Sequence, residues 1–522
     1  MGRRAYGQPV QRIPSHPRSI RPSDSHSARL ERDRRSHHLF SHCATARHLA
    51  RVGFVRAYKK LSLVRTALID FRLLHQYVTS VNTMDAIEIS SPPAEVNGRI
   101  SLYKGPLILE DEDAPLELDG EVFLSYSPIP TVRFTATGTE AIEIDLLKEH
   151  CLRLPCGRRF QSRVTRSNRR FGDNVEQLAL SGRVHDRVDP AEASGCAKVQ
   201  CLVFNYPEVN GRVVQYGPSS GAMARVSLES GPWLVNIDRL RDSGRRHERL
   251  KDTGGHEWTA IAEVRRSDGK PFSVDEYKSF AEAIRLFLSF ATGRWVGLAL
   301  PAAYDDSGVK VWEEWACQHV ATFKYVRSWA SCDDHECFEL PFPQFCEMYA
   351  DRYWQDILKA AIHWYIEANS QSGAVEGSIA LTQTALELLA AVILVEKDQW
   401  VSSFAYDKLP AGDRFRLLLR WAGIPSDVPP ELRSLHELAT EKTNNWLDAA
   451  HALAEIRNAI IHPTKINRSR FHSHGDGARV DAWQFGLWVV ELVLLRLCGY
   501  KGKYVRRTNR GSEAVLESVP WA

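Results

Sequence analysis

The chain has 522 residues, of which 44% are hydrophobic and 25% are charged, and its formal net charge is +3 at neutral pH. This composition is ordinary for a globular protein and excludes a fibrous or wholly disordered chain. Ten cysteines in so long a chain do not make a disulfide scaffold, so we expect a cytoplasmic protein with reduced thiols.

The first 83 residues differ in charge from the rest of the chain. They contain 14 Arg and two Lys against four acidic residues, whereas the remaining chain holds 51 basic and 60 acidic residues. Such a segment fits an organellar transit peptide, a nucleic-acid-binding arm, or an upstream extension that precedes a native start at Met84. We expect residues 1–83 to be a basic disordered leader or a spurious extension, and we assign them no function.

The region from residue 84 to about residue 245 predicts strands. Short runs such as ISLYKGPLILE, EVFLSY and KVQCLVFNYP alternate apolar and polar residues between clusters of Pro, Gly and Asp. A β-sandwich or an open barrel is the natural arrangement for them. The basic stretch at about 155–195 is predicted to be a loop inserted between the strands.

The hydrophobic period changes to a helical one near Ser273. Ser273 and Glu276 form a predicted capping box, and Gly293 is expected to end that helix. The last third then predicts a bundle of about five helices. Two apolar segments, Ile379–Val395 and Phe485–Leu497, are interrupted by polar or charged residues, which favours buried bundle helices over membrane spans.

The predicted fold class is α+β, with a β-rich, sandwich-like region followed by an all-α helical bundle. The predicted domains are residues 84–345, which are β-rich with a helical end, 346–505, which form the bundle, and 506–522, which form a C-terminal tail.

One predicted helix carries a pattern with chemical meaning, Arg457-Asn458-Ala-Ile-Ile-His462-Pro463. Pro463 disfavours helical geometry at His462, so the imidazole should lie at the helix C-terminus, where carbonyl groups favour its protonated form. Arg457 offers a forked cation that matches a phosphate, and Asn458 can orient the scissile group or the histidine. The alternative is that the arginine and the histidine only stabilise the bundle.

Residues from about 346 to 500 resemble the HEPN superfamily, specifically the bacterial Apea-like HEPN group. RNAIIHP is similar to the family's Arg-Asn-x3-His signature, and the strands upstream look like the ApeA-type N-terminal domain that accompanies it. The resemblance implies an antiparallel bundle that dimerises, pairs two motifs across one cleft and cleaves RNA in phage defence or toxin systems. It also implies functional roles for Arg457, Asn458 and His462, with Glu387 on a preceding helix as a supporting acidic residue.

Three weaker groups of residues have alternative explanations. Cys151 and Cys156, beside His150, and Cys196 and Cys201 could form a zinc site, but their four-residue spacing favours reduced structural cysteines. The loop of residues 331–337 gathers potential ligands at a similarly poor spacing. The stretch after the motif contains several basic or imidazole side chains in a predicted loop, which would contact an RNA backbone or be solvated: Lys465, Arg468, Arg470, His472 and His474.

These observations predict a metal-independent endoribonuclease without cofactors, in which the 2′-hydroxyl of RNA attacks the adjacent phosphorus. The β-rich region would sense a trigger or restrain the nuclease. RNA, a second copy of the chain and a phage-derived or antitoxin protein are the expected partners, and no membrane is expected. The alternative is a non-catalytic HEPN module for dimerisation or RNA binding, with a β-domain that recognises a ligand or a protein.

Overall fold

The computed structural model describes the ranges 84–87, 98–110, 115–139, 144–172, 175–187, 194–217, 220–371, 374–441, 444–462, 464–509 and 515–522. Residues 1–83 lie outside this part of the chain, and so do the predictions made for them. The described residues confirm the α+β class: strands dominate up to residue 313, and helices dominate from residue 336 onward.

The first strands after the short β1 (Met84–Asp85) close into an antiparallel barrel of order β2-β3-β4-β7-β6-β5. In β4, Val132, Phe134 and Ala136 are buried and alternate with more exposed residues, as the pleat of a strand requires. The barrel strands are β2 (Arg99–Glu110), β3 (Leu116–Ser125), β4 (Thr131–Gly138), β5 (His150–Arg153), β6 (Arg159–Gly172) and β7 (Val175–Arg187).

The basic stretch predicted as a loop at 155–195 is instead largely the β6–β7 hairpin of this barrel. Phe160, Ser162 and Val164 are buried at alternate positions, while the residues between them carry the exposed basic and polar side chains. The charge of the outer face concealed the period-two pattern of the inner face, so the loop prediction was wrong.

An eight-stranded sheet follows, of order β1-β9-β10-β11-β12-β8-β13-β14, and all its pairs are antiparallel except β1 with β9. Leu202 and Phe204 of β8 join the core of the barrel, whereas Cys201 and Val203 join the core shared with the helices. The sheet is therefore the middle layer of the molecule. Its remaining strands are β8 (Lys198–Phe204), β9 (Arg212–Gln215), β10 (Gly221–Ser230), β11 (Trp233–Arg239), β12 (Trp258–Arg266), β13 (Gly297–Tyr304) and β14 (Lys310–Glu313).

Two helices lie within the sheet region, α1 (Ser243–Thr253) and α2 (Val274–Thr292). The predicted capping box of α2 is present, because Ser273 accepts a hydrogen bond from the Glu276 amide and the Glu276 side chain accepts one from Ser273. Gly293 ends the helix in the left-handed conformation, with φ of 68°. Both ends of α2 thus agree with the prediction.

The helical part contains nine further helices in the described chain, and their apolar residues share one core with the sheet and α2. This core crosses the predicted boundary between residues 345 and 346. The helices are α3 (Glu336–Glu339), α4 (Phe342–Ala350), α5 (Arg352–Asn369), α6 (Ala374–Ala391), which a π-helical turn (Val392–Lys397) extends, α7 (Ser403–Lys408), α8 (Ala411–Ala422), α9 (Arg433–Thr440), α10 (Ala449–Ile461) and α11 (Lys465–Leu497).

The continuous segment Ala374–Lys397 is the one helix of the described residues that is long and apolar enough to cross a membrane. Sixty-one per cent of its apolar window is buried inside the molecule, where α6 packs against α5 and α11. This burial is typical of a core helix and agrees with the buried bundle helix predicted from the sequence.

The segment after α11 packs against the bundle. It forms the hairpin β15 (Lys503–Val505) and β16 (Leu516–Ser518), and the Val505 amide donates to the Trp329 carbonyl at 2.7 Å. Arg507 is completely buried and donates through Nε to Glu491 at 3.0 Å. The described residues of the segment predicted as a tail, 506–509 and 515–522, therefore belong to the folded protein.

Candidate active site

The helix that carries the predicted site, α10, begins at a strong cap. Asp448 accepts a hydrogen bond from the His451 amide at 2.9 Å, and the same carboxylate pairs with Arg416 of α8. Buried residues, among them Leu453 and Ile456, face the core, so the polar residues of the motif fall on the outer side of the helix.

The helix ends at Ile461, so His462 lies at its C-terminus, as predicted. His462 adopts φ of −101° and ψ of 92°, outside the helical region, and its amide donates to the Asn458 carbonyl at 3.1 Å. Its side chain is exposed and makes no hydrogen bond with any described residue. The imidazole is therefore accessible to a ligand from solvent.

Three of the four predicted site residues lie together. Arg457 Nη2 is 3.8 Å from Glu387 Oε1 of α6, and Arg457 Nη1 donates to Asn458 Oδ1 at 3.3 Å. His462 forms no hydrogen bond or ion pair with the side chains of these residues within the described chain. The predicted acidic residue on α6 thus meets the arginine, while the His462 side chain is exposed to solvent.

Arg457 retains donors for a further ligand. Its Nε is buried and has no hydrogen-bond partner among the described residues, and its contact with Glu387 is long for an ion pair. The side chain is 23% exposed and incompletely hydrogen-bonded, so it can turn toward an anion without breaking a complete set of hydrogen bonds.

A second contact between α6 and α10, one turn earlier in both helices, holds them in register. Gln383, one turn before Glu387, donates to the carbonyl of Leu453, one turn before Arg457, at 2.7 Å. The two helices therefore run in the same direction along this face. The buried amide of Gln383 fixes the spacing at which Glu387 reaches Arg457, and sequence reasoning missed this residue because it reads as an ordinary polar interruption of an apolar helix.

Asn467 is a second residue that the sequence did not reveal. Its side-chain amide donates to the carbonyls of Asn458 at 3.2 Å and His462 at 2.9 Å. Thr464 caps the start of α11 by accepting from the Asn467 amide. The two carbonyls also accept from the His462 and Thr464 amides, so Asn467 adds a second donor to each and ties the end of α10 to the start of α11.

The stretch after the motif is helical, so the predicted loop is wrong there. Residues 465–474 form the first part of α11, which kinks at Gly475 with φ of 69° and ψ of 161°. The glycine and the strong charge of the stretch masked its helical tendency. Lys465, Arg468 and His472 are exposed on it.

Two residues of this stretch have structural contacts. Arg470 pairs with Glu455 of α10 at 2.9 Å, and His474 is buried with its ring 5.5 Å from that of Trp446. Burial lowers the pKa of His474, and the positive charge of Arg470 acts in the same direction. His474 is therefore neutral at pH 7 and part of the packing, whereas His472 remains accessible.

The cysteines considered as zinc ligands are divided between the barrel and the core that the sheet shares with the helices. Cys151 lies in the barrel strand β5, whereas Cys196 and Cys201 are buried in the core beneath the sheet. Burial raises the pKa of the Cys201 thiol to about 12, which opposes metal binding. No group of three or more His, Cys, Asp or Glu is arranged to hold a metal ion in the part of the chain that the structure describes.

Comparisons with known proteins find two regions of the chain that match family models. The model of the YopA central domain matches residues 192–326, which span the sheet region, and that of the YopA C-terminal domain matches residues 351–518. The chain is similar to YopA in two successive regions. The second region contains Glu387, Arg457, Asn458 and His462.

The chain is 25% identical over 445 residues to the SPbeta prophage-derived uncharacterized protein YopA of Bacillus subtilis (strain 168). The similarity covers 84% of this chain and 98% of that protein. No solved structure matches the chain.

Proposed function

We propose that the chain is a metal-independent endoribonuclease of the HEPN type, with Arg457, Asn458 and His462 as its catalytic residues. The observation that carries the proposal is the exposed imidazole of His462 at the end of α10, five residues after an arginine that has an unused donor. A general base and a cation for the phosphoryl oxygens are what attack by the RNA 2′-hydroxyl needs.

In the proposed reaction, one His462 takes the proton of the 2′-hydroxyl, whose oxygen bonds to the adjacent phosphorus. The bond between phosphorus and the 5′-oxygen breaks, and that oxygen receives a proton from a second His462. The products are a 2′,3′-cyclic phosphate and a 5′-hydroxyl. Arg457 stabilises the charge on the phosphoryl oxygens, Asn458 orients the groups, and Glu387 positions Arg457.

The second histidine would come from another copy of the chain in a homodimer. Ile461 and Ile466 flank His462 and are 39% and 66% exposed. Large apolar side chains exposed beside the motif favour a protein contact there. A dimer built on this surface would bring two motifs to one cleft.

A toxin or anti-phage effector in the cytoplasm is the setting that we propose, with the β-rich region as regulator. A related protein is prophage-derived, which fits a role in conflict between phages or between phage and host. A phage-derived or antitoxin protein would be the partner of the regulatory region.

The competing proposal is a non-catalytic module for dimerisation or RNA binding. It is favoured by the contacts of Arg457 with Glu387 and Asn458, which give that arginine a structural role in the absence of RNA. The two proposals differ in whether His462 is needed for cleavage of the RNA or only contributes to a surface that binds RNA or a second copy of the chain.

The deciding experiment is cleavage of RNA by the full chain in excess EDTA, with His462→Ala beside the native protein. We expect cyclic phosphate ends from the native protein and a rate about 10²- to 10⁴-fold lower for the variant. His185→Ala, which removes an exposed imidazole from the barrel, is the matched control and should cleave normally. Equal cleavage by native protein and His462→Ala would remove His462 from the mechanism.

A further inference from the structure

A second site lies far from the motif in sequence, in a cleft of about 590 Å³ between the sheet region and the C-terminal segment. Its walls come from the segment after β8, from α1, from the connection of residues 323–333 and from the residues after β15. This volume is in the range of small-molecule sites and is much larger than a single inorganic anion needs.

Arg294 is the unusual residue of this cleft. It is 8% exposed and forms no ion pair with a described carboxylate. Its Nη2 donates to the Asn205 carbonyl at 2.6 Å, but its Nε is buried without a partner. Burial lowers the pKa of Arg294 to about 10, so the guanidinium remains charged at neutral pH. Its Nη1 donates to the Lys324 carbonyl at 3.4 Å. A buried cation without a countercharge is costly, and an anionic ligand would offset that cost.

Two further cations in the cleft lack acidic partners among the described residues. Lys324 Nζ donates to the Ser370 carbonyl at 2.8 Å, and Arg327 Nη1 donates to the Asn509 carbonyl at 2.9 Å. Both contacts leave a full positive charge in place. Arg294, Lys324 and Arg327 thus line one cleft as three cations held by backbone carbonyls.

The remaining charges of the cleft are mostly engaged elsewhere. Lys251 pairs with Glu248 at 2.7 Å, and Arg506 pairs with Glu431 at 2.7 Å. The walls also hold two carboxylates, Glu208 and Asp333, and Asp333 accepts from the neutral Asn210 amide at 3.0 Å without losing its charge. Three cations without an acidic partner in the described chain against two carboxylates leave one net positive charge, which favours an anion.

Aromatic rings complete the lining. Phe323 lies under the Arg294 guanidinium, 4.8 Å from ring centroid to cation, and Phe338 also contributes to the walls. Tyr325 is 84% exposed, a large fraction for an aromatic side chain in a cleft wall. An exposed ring beside cations suits a ligand that has a planar body and phosphate groups.

We propose that this cleft binds a nucleotide, with Arg294, Lys324 and Arg327 holding its phosphates and Tyr325 contacting its base. The nucleotide is distinct from the RNA of the proposed nuclease reaction. Bound there, it contacts both the sheet region and the C-terminal segment, which packs against the bundle.

Binding of ATP, GTP, CTP and UTP to the full chain, measured by calorimetry with pyrophosphate and adenosine as partial probes, tests the proposal. We expect at least one nucleotide to bind more tightly than pyrophosphate and adenosine. Arg294→Met and Lys324→Gln should each weaken it about ten- to hundredfold. Lys324 is exposed, so its variant should fold even where the Arg294 variant does not.

Lys104→Gln, which changes an exposed lysine of the barrel, is the matched control and should bind like the native protein. Absence of binding by all four nucleotides, pyrophosphate affinity equal to theirs, or unchanged affinity in Lys324→Gln would each overturn the proposal. The binding measurement requires no RNA cleavage, so its outcome is independent of the role of His462.

Discussion

The end of α10 and the C-terminal segment both place an arginine against a glutamate, but in opposite surroundings. Arg507 and Glu491 are 1% and 0% exposed, and the arginine also bonds to Asn369 and the Arg327 carbonyl. Arg457 and Glu387 are 23% and 36% exposed and lie 3.8 Å apart. The first pair is buried and closely bonded, as a structural ion pair is, whereas the second is longer and partly exposed, which fits the role proposed for Arg457.

The largest effect on stability should follow from breaking the buried pair. Arg507→Met leaves Glu491 buried without its cation, which should lower the free energy of unfolding by about 3–5 kcal/mol. Urea denaturation would measure the loss. Arg496→Met, which removes an exposed arginine of α11, is the control and should change stability little.

The double variant Arg507→Met with Glu491→Leu sharpens this result. Replacing both charges removes the uncompensated carboxylate, so much of the lost stability should return. If the double variant is no more stable than Arg507→Met alone, the buried charge is not the cause of the loss.

Arg457 should show the reverse pattern, with a large effect on activity and a small one on stability. Arg457→Ala should reduce RNA cleavage about 10²- to 10³-fold, because a donor to the phosphoryl oxygens is lost. Its free energy of unfolding should fall by no more than about 1 kcal/mol, as expected for a partly exposed pair.

Arg433→Ala, on the exposed side of α9, is the control for both measurements on Arg457. A variant of Arg457 that unfolds while the control does not would make this arginine structural, like Arg507. Glu387→Gln should retain more activity than Arg457→Ala, because it affects only the position of the arginine.

Asn467→Ala should have a smaller effect, about 1 kcal/mol in the free energy of unfolding, because two hydrogen bonds to carbonyls at the end of α10 are lost. Cleavage should fall together with it, since the His462 backbone loses one of its hydrogen bonds. Asn168→Ala, at an exposed position of the barrel, is the control. Unchanged cleavage in Asn467→Ala would show that His462 is positioned by other contacts.

Much of the fold follows from patterns that are local in the chain. The capping box of Ser273 and the end of α2 at Gly293 depend on a few adjacent residues, and both agree with the sequence. The helix end at His462 is local in the same way. The closed barrel is not, because alternation along a strand determines which side is buried but not which strand becomes its neighbour.

Sequence patterns alone predicted the candidate site only where its residues lie in one motif. Arg457 and His462 could be placed on a helix end from their spacing, and Glu387 by resemblance. Gln383, Asn467 and the cations of the cleft could not, because their roles depend on which carbonyls and carboxylates the fold brings near them. Arg294 is informative only once its lack of an acidic partner is visible.

The smallest expected effect is on the pH dependence of the free energy of unfolding. Burial lowers the pKa of His474 below its unfolded value of about 6.5, so the unfolded chain binds this proton more readily. The contribution of His474 to stability is therefore fully present above about pH 6.5 and is lost as the pH decreases toward its folded pKa. His247 and His319, whose pKa values burial also lowers, act in the same direction. His474→Phe keeps the ring against Trp446 but cannot titrate, so its unfolding free energy should depend less steeply on pH below about 6.5. Phe substitution at the exposed His472 is the control and should leave this pH dependence unchanged. If the unfolding free energy of His474→Phe depends on pH as steeply as that of the native protein, protonation of His474 does not contribute to the loss of stability in acid.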